Sequence, residues 1–303
     1  MDPQIMNNIE RGQAIARLLF ESFRDKGIHG RNDMPEDKPP PGVQVGSLGQ
    51  VLFITLTVAI DYQRDADALW ESSRKTFTDA ETRYLFDPAA VHAAEPTRVR
   101  MDLSKYGVSK KPKKDSDIWR TVAITFHKKW RGDPRNFLAD CGWDAVTILQ
   151  RLSADSHLVA GRRRPDYPYL RGPKIGPLWL RMLSDNVGLS IQRLDEVPIP
   201  VDVHIARASL AIGIVRGRYD GGGSEIYERI RRAWAAAVKG LKIGERPMRA
   251  LDLDEPLWHL SKYGCTSRHL ETGTCPKYGS CEARAFCVLG KVIIQGNQVT
   301  LDT

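Results

Sequence analysis

YLRGPKIGPLWLRML (residues 169–183) and PIPVDVHIARASLAIG (residues 198–213) are the stretch from which the fold is read. In the first half, Lys174-Ile175-Gly176 reads as a tight turn between two short helices, with Leu178, Leu180, Met182 and Leu183 opening an apolar helix. A helix N-terminus presents backbone N–H groups to which a phosphate can bind. The second half carries one carboxylate, Asp202, after two prolines and before a mostly apolar helix. A carboxylate there reads equally as a helix cap or as a functional group. Four cysteines downstream tip the reading toward function.

Working outward, the chain has 303 residues, a formal charge of +8 and a pI near 9.2. That length allows one large domain or two modest ones, and a basic balance favours a polyanionic partner. The N-terminus lacks a secretory pattern, and the longest apolar run, Val51 to Ile60, is about half a membrane span. A soluble intracellular protein is expected, cytoplasmic if prokaryotic.

Helix starts recur along the chain: Asp2-Pro3, Ser47 with Gln50, Asp65, Asp87-Pro88, Glu95-Pro96, Asp133-Pro134, Asp144 and Ser224. VLFITLTVAI after Ser47 is β-branched enough for a strand, but its cap favours a buried helix. Residues 28–46 read as a loop, as does Gly221-Gly222-Gly223, which lacks the GK[ST] ending of a phosphate loop. KVIIQGNQVTL near the C-terminus reads as a hairpin. The fold class is mostly α. The run Lys110, Lys111, Lys113, Lys114 reads as a solvated loop or as a further phosphate contact, while Arg162, Arg163, Arg164, Arg171 and Lys174 read as a phosphate-contacting surface. Cys141 reads as an ordinary buried thiol.

Cys265, Cys275, Cys281 and Cys287 are spaced x9, x5, x5. In an intracellular chain this pattern favours metal over disulfides. With no CxxC knuckle, an iron–sulfur cluster ranks above zinc, and both stay open on spacing alone.

The segment LWHLSKYGCTSRHLETGTCPKYGSCEARAFC (257–287) resembles the iron–sulfur loop that ends endonuclease III-like (HhH-GPD) DNA glycosylases. PKIGPLWLRML resembles that family's helix-hairpin-helix, and PVDVHIARASLAIG its VDTHVxR segment with the catalytic Asp. The order of the three is the family's. The cysteine intervals depart from its usual six, two and five, and Lys174 replaces the first Gly of the hairpin. Leu178 stands where lyase members carry Lys.

The resemblance implies a two-lobed fold: a helical barrel over 48–183 ending in the hairpin, and a second lobe of 1–47 and 184–303 carrying Asp202 and the loop 257–287. It implies a 4Fe-4S cluster on the four cysteines and a monomer acting on double-stranded DNA, without membrane association. Ile175, Gly176 and Leu178 join the cations as DNA-binding candidates, and Asp61, Tyr62, Gln63 and Trp143 are pocket candidates by helix order. The function it implies is base excision by a monofunctional N-glycosylase with Asp202 catalytic. The alternatives are a bifunctional glycosylase/lyase using Lys174, and a non-catalytic DNA-binding protein with a structural metal.

Overall fold

A computed structural model describes residues 3–303, with side chains described from Ile9 onward. The Asp2 cap lies outside the described residues. Twelve α-helices dominate among those residues: α1 (Pro3–Lys26), α2 (Leu48–Val58), α3 (Ala66–Thr78), α4 (Pro88–Ala93), α5 (Pro96–Lys105), α6 (Pro112–Trp130), α7 (Pro134–Asp140), α8 (Ala145–Ala154), α9 (Ile175–Asp185), α10 (Val203–Ala211), α11 (Gly223–Val238) and α12 (Asp254–Tyr263). The strands are β1 (Ser156–Val159), β2 (Arg162–Pro165), β3 (Arg218–Gly222), β4 (Lys242–Ile243), β5 (Arg246–Pro247), β6 (Lys291–Gln295) and β7 (Gln298–Asp302).

The helix starts have a common local cause. Ser47, Asp65, Asp87, Asp133 and Asp144 each accept a hydrogen bond from a first-turn N–H of α2, α3, α4, α7 and α8. Gln50 of α2 accepts from Gly46 N–H at 2.8 Å, one residue earlier than a capping box would have it. Glu95 makes no such bond, and Pro96 starts α5 by its fixed φ. Ser224 does not cap: Gly222 is the cap of α11, and Ser224 lies inside the first turn.

Arg162–Arg164 form the second strand of a hairpin with β1. Two further expectations change. The glycine stretch at 221–223 is partly strand, because β3 pairs with β7 in a sheet of order β3-β7-β6. Lys113 and Lys114 sit in the first turn of α6, not in a loop.

The chain forms two compact units, one of residues 34–194 and the other of 1–33 with 195–303. The first therefore begins earlier, and ends later, than the 48–183 read from the sequence. Its added residues are held by polar contacts. Glu36, in a 3₁₀ turn at Pro35–Asp37, pairs with Arg181 of α9, and both are buried. Asn186 Nδ2 donates to Asp37 Oδ1 at 2.7 Å, and Gln50 Nε2 donates to the Asn186 carbonyl at 3.0 Å. Phe53, Trp70, Trp119, Phe126 and Trp179 fill the core of this unit, with Trp179 Nε1 donating to Thr55 Oγ1 at 3.0 Å.

In the other unit α1 packs on α11 and α10 on α12. Gly12 allows the first contact, since a Cβ there would stand 2.8 Å from the Ala237 Cβ.

The Glu36–Arg181 pair gives a stability prediction. Glu36→Ala should take its paired carboxylate away from a buried guanidinium and cost about 3–5 kcal/mol in denaturant unfolding, whereas replacing both residues by Met should cost far less. Equal losses in the single and double variants would show that the pair acts only by filling space.

Candidate functional site

In the unit that carries α10, Asp202 precedes that helix with extended backbone, set by the segment Pro198-Ile199-Pro200-Val201. Its Oδ1 accepts from His204 N–H at 2.8 Å and Ile205 N–H at 2.9 Å, so the carboxylate is half-buried and fixed in direction. One turn on, His204 Nδ1 lies 3.2 Å from Ser261 Oγ, and Arg207 Nη1 donates to the same oxygen at 3.3 Å. Tyr227 of α11 is a further neighbour: burial, and then the Asp202 charge, raise its phenol above the ordinary value. Asp202 is thus a helix cap and a positioned carboxylate together.

In the other unit, α9 starts differently from the expectation. Ile175 and Gly176 are already helical, and the turn lies upstream, where Arg171 N–H donates to Tyr167 O (3.1 Å) and Gly172 N–H to Tyr169 O (2.8 Å). Gly176 N–H donates to Gly172 O at 3.1 Å, so it is not a phosphate donor here. Space explains the glycine: a Cβ would meet Leu170 O at 2.7 Å and Leu149 Cδ2 at 2.9 Å. Ile175 and Leu178 are buried. Arg162, Arg163, Arg164 and Arg171 are all exposed.

Lys174 caps α9, and its Nζ donates to the Asp61 carbonyl at 3.1 Å, with Asp61 Oδ2 at 3.7 Å. The next residue, Tyr62, stacks on Tyr169 with ring centroids 4.3 Å apart and planes 24° apart. Its hydroxyl donates to Asp115 Oδ1 at 2.5 Å, and burial followed by this bond raises the phenol's pKa. Lys114 Nζ stands 5.1 Å from both ring centroids, which puts it beside the stack and not over an outer face. Lys111 Nζ reaches Gln63 Oε1 at 2.8 Å, and Gln63 has a left-handed φ of 51°. Asp61, Tyr62 and Gln63 are thereby gathered with Lys174. Trp143 is placed by different contacts, in the turn before α8, where its carbonyl accepts from Gln192 N–H at 2.7 Å.

Sequence reasoning missed Tyr169, Asp115 and the part played by Lys111 and Lys114. Tyr169, with φ 65°, carried no local signal.

The four cysteines of the loop after α12 line one small cavity, together with Ile212, Leu260 and Ala283. Burial, and then the charges of Cys281, Cys287 and Cys275, push the Cys265 thiol well up; burial raises Cys281 to about 11. Arg268, itself buried, donates to Cys287 Sγ at 3.4 Å and to the carbonyls of Val288 (2.5 Å) and Gly290 (3.2 Å). It ties the start of the loop to its end. Arg11 of α1 donates to Phe286 O (2.7 Å) and Ile212 O (3.1 Å), fixing the loop to the helices. His29 and Glu282 lie beside Cys281, their ligand atoms within 4.8 Å of one another. Cys141 is buried apart from these, its thiol raised by burial to about 11.

Residues 180–284 match the family model described as AGOG: N-glycosylase/DNA lyase. The matched segment includes Asp202, Cys265, Cys275 and Cys281; Lys174 precedes it and Cys287 follows it. No curated protein matches the chain. Among solved structures, a non-covalent endonuclease III–DNA complex aligns over 95% of this chain and 95% of that one, at 12% identity and a TM-score of 0.52. A trapped endonuclease III–DNA covalent intermediate, an estranged-adenine complex, aligns over 94% and 98%, at 13% identity and a TM-score of 0.51. The chain has the endonuclease III fold. Among the described residues, no helix is long and apolar enough to cross a membrane.

Proposed function

We propose that this chain, a helix-hairpin-helix DNA glycosylase, excises a base from duplex DNA with Asp202 as its catalytic carboxylate and Lys174 as the amine of a following lyase step. The observation that carries the reading is Asp202: one carboxylate, framed by prolines and aimed by two backbone N–H groups, inside the family-matched segment. Chemistry on a base inside a duplex requires the nucleotide to be extruded. Cleaving its glycosidic bond builds positive charge on the sugar, and a fixed carboxylate stabilises that charge without reorganising.

Two observations move the reading from hydrolysis alone, which Leu178 suggested, toward a lyase step. The matched family is described as N-glycosylase/DNA lyase. Lys174 Nζ is held at the head of α9 beside Asp61 Oδ2, among the tyrosines and lysines around Tyr62. The amine must be neutral to attack a sugar carbon.

The cysteine cavity supports the cluster reading. Four thiols converge on one apolar pocket, with Arg268, Lys277 and Arg284 on its lining to offset thiolate charge. Cys265, Cys275, Cys281 and Cys287 would hold a 4Fe-4S cluster, which would act as a structural cross-link of the loop and leave base chemistry to Asp202.

Borohydride trapping tests the lyase step. Wild type incubated with a duplex containing one preformed abasic site should become covalently attached to DNA on reduction, and Lys174→Ala should reduce attachment to background. If wild type gives no trapped complex and leaves strands intact until alkali is added, Asp202-directed hydrolysis alone remains.

A further inference from the structure

The β1–β2 hairpin combines exposure, charge and rigidity in a way that the chemistry above does not use. Its two strands are closed by Ala160 and Gly161, both with positive φ (48° and 75°), a two-residue turn that matches the twist of the strands and keeps the tip narrow. The root is fixed. Asp166 is fully buried at the end of β2; its carboxylate takes His157 Nδ1 at 2.7 Å and Lys129 Nζ of α6 at 2.6 Å, and its carbonyl accepts from Thr125 Oγ1 at 3.1 Å. The hairpin is therefore a short rigid projection from α6.

Its two faces differ. Leu158 is 71% exposed and pairs across the strands with Arg163. Cross-strand partners share a face, so an unshielded leucine stands next to a guanidinium. On the other face Val159 and Arg164 line an open groove with Lys113 and Lys114 of α6. Single exposed leucines are common on protein surfaces and mean little alone. Here the leucine is near a rigid tip, opposite a strand of three arginines, Arg162, Arg163 and Arg164, and the other face of the same hairpin borders a groove with two lysines. Apolar side chains inserted between base steps beside phosphate-binding cations are how proteins unstack a duplex.

We propose that this hairpin is a wedge for duplex DNA: Leu158 enters the base stack, Arg163 binds the phosphate beside it, and the groove of Arg164, Lys113 and Lys114 seats one strand. The inference rests on the reading of the chain as a DNA glycosylase. It adds the element that holds the helix open when a nucleotide leaves it.

The test uses a duplex with 2-aminopurine next to a tetrahydrofuran abasic analogue, whose emission rises when its stack is opened. This probe reports insertion without requiring catalysis. Wild type should raise the emission, Leu158→Ser should reduce the rise roughly 10-fold, and Leu158→Phe should restore it. Base release from intact duplex should fall with Leu158→Ser, while trapping on a single-stranded abasic oligonucleotide should not. If Leu158→Ser leaves both the emission and base release unchanged, the wedge is wrong even where glycosylase activity is present. If wild type releases no base yet opens the stack through Leu158, the wedge stands and the catalytic reading falls.

Discussion

Asp202→Asn should slow single-turnover base release by roughly 100-fold or more and leave duplex binding nearly unchanged. The substitution isolates charge. Asn caps helices about as well as Asp, so the bonds from His204 and Ile205 N–H to the side-chain oxygen survive, and α10 starts as before. What is lost is the negative charge that a sugar cation would meet in the transition state, which damages the chemical step and spares ground-state binding. Asp202→Ala removes the cap as well, and its extra loss in thermal stability, about 1 kcal/mol, measures the structural share separately. If Asp202→Asn releases base at near the wild-type rate, the residue is a cap only, and the non-catalytic DNA-binding alternative gains ground.

Local signals were legible in the sequence and long-range pairings were not. Asp65, Asp87, Asp133 and Asp144 begin helices because each binds an N–H within three residues, a relation visible in any short window. Gly176 shows the limit of such windows. A glycine signals either an unusual φ or a need for space, and only the packing against Leu170 O reveals the second. Gly221-Gly222-Gly223 read as a loop because what draws Gly221 and Gly222 into a strand, β7, lies near the far end of the chain. RRRP has no apolar alternation, so β2 was invisible without its partner β1. For the candidate site, the sequence singled out Asp202, the four cysteines and the Asp61–Gln63 loop as candidates. It could not join Tyr62 to Tyr169 and Asp115, because those contacts cross between distant segments.

Anaerobically purified chain should be brown and contain about four iron atoms, and Cys275→Ser should lose the colour and most of the iron. All four thiols line one cavity, the number of ligands a 4Fe-4S centre takes from a protein, and a spacing of x9, x5, x5 without a CxxC knuckle favours that centre over zinc. The longer interval between Cys265 and Cys275 is accommodated by Arg268, whose bonds to Cys287, Val288 and Gly290 close the loop on itself. Loss of the centre should therefore loosen this loop, and proteolysis between residues 265 and 287 should accelerate in Cys275→Ser but not in Cys141→Ser, whose thiol takes no part. A colourless protein with one zinc per chain, its loop still resistant after the zinc is chelated, would overturn both the cluster and its structural role.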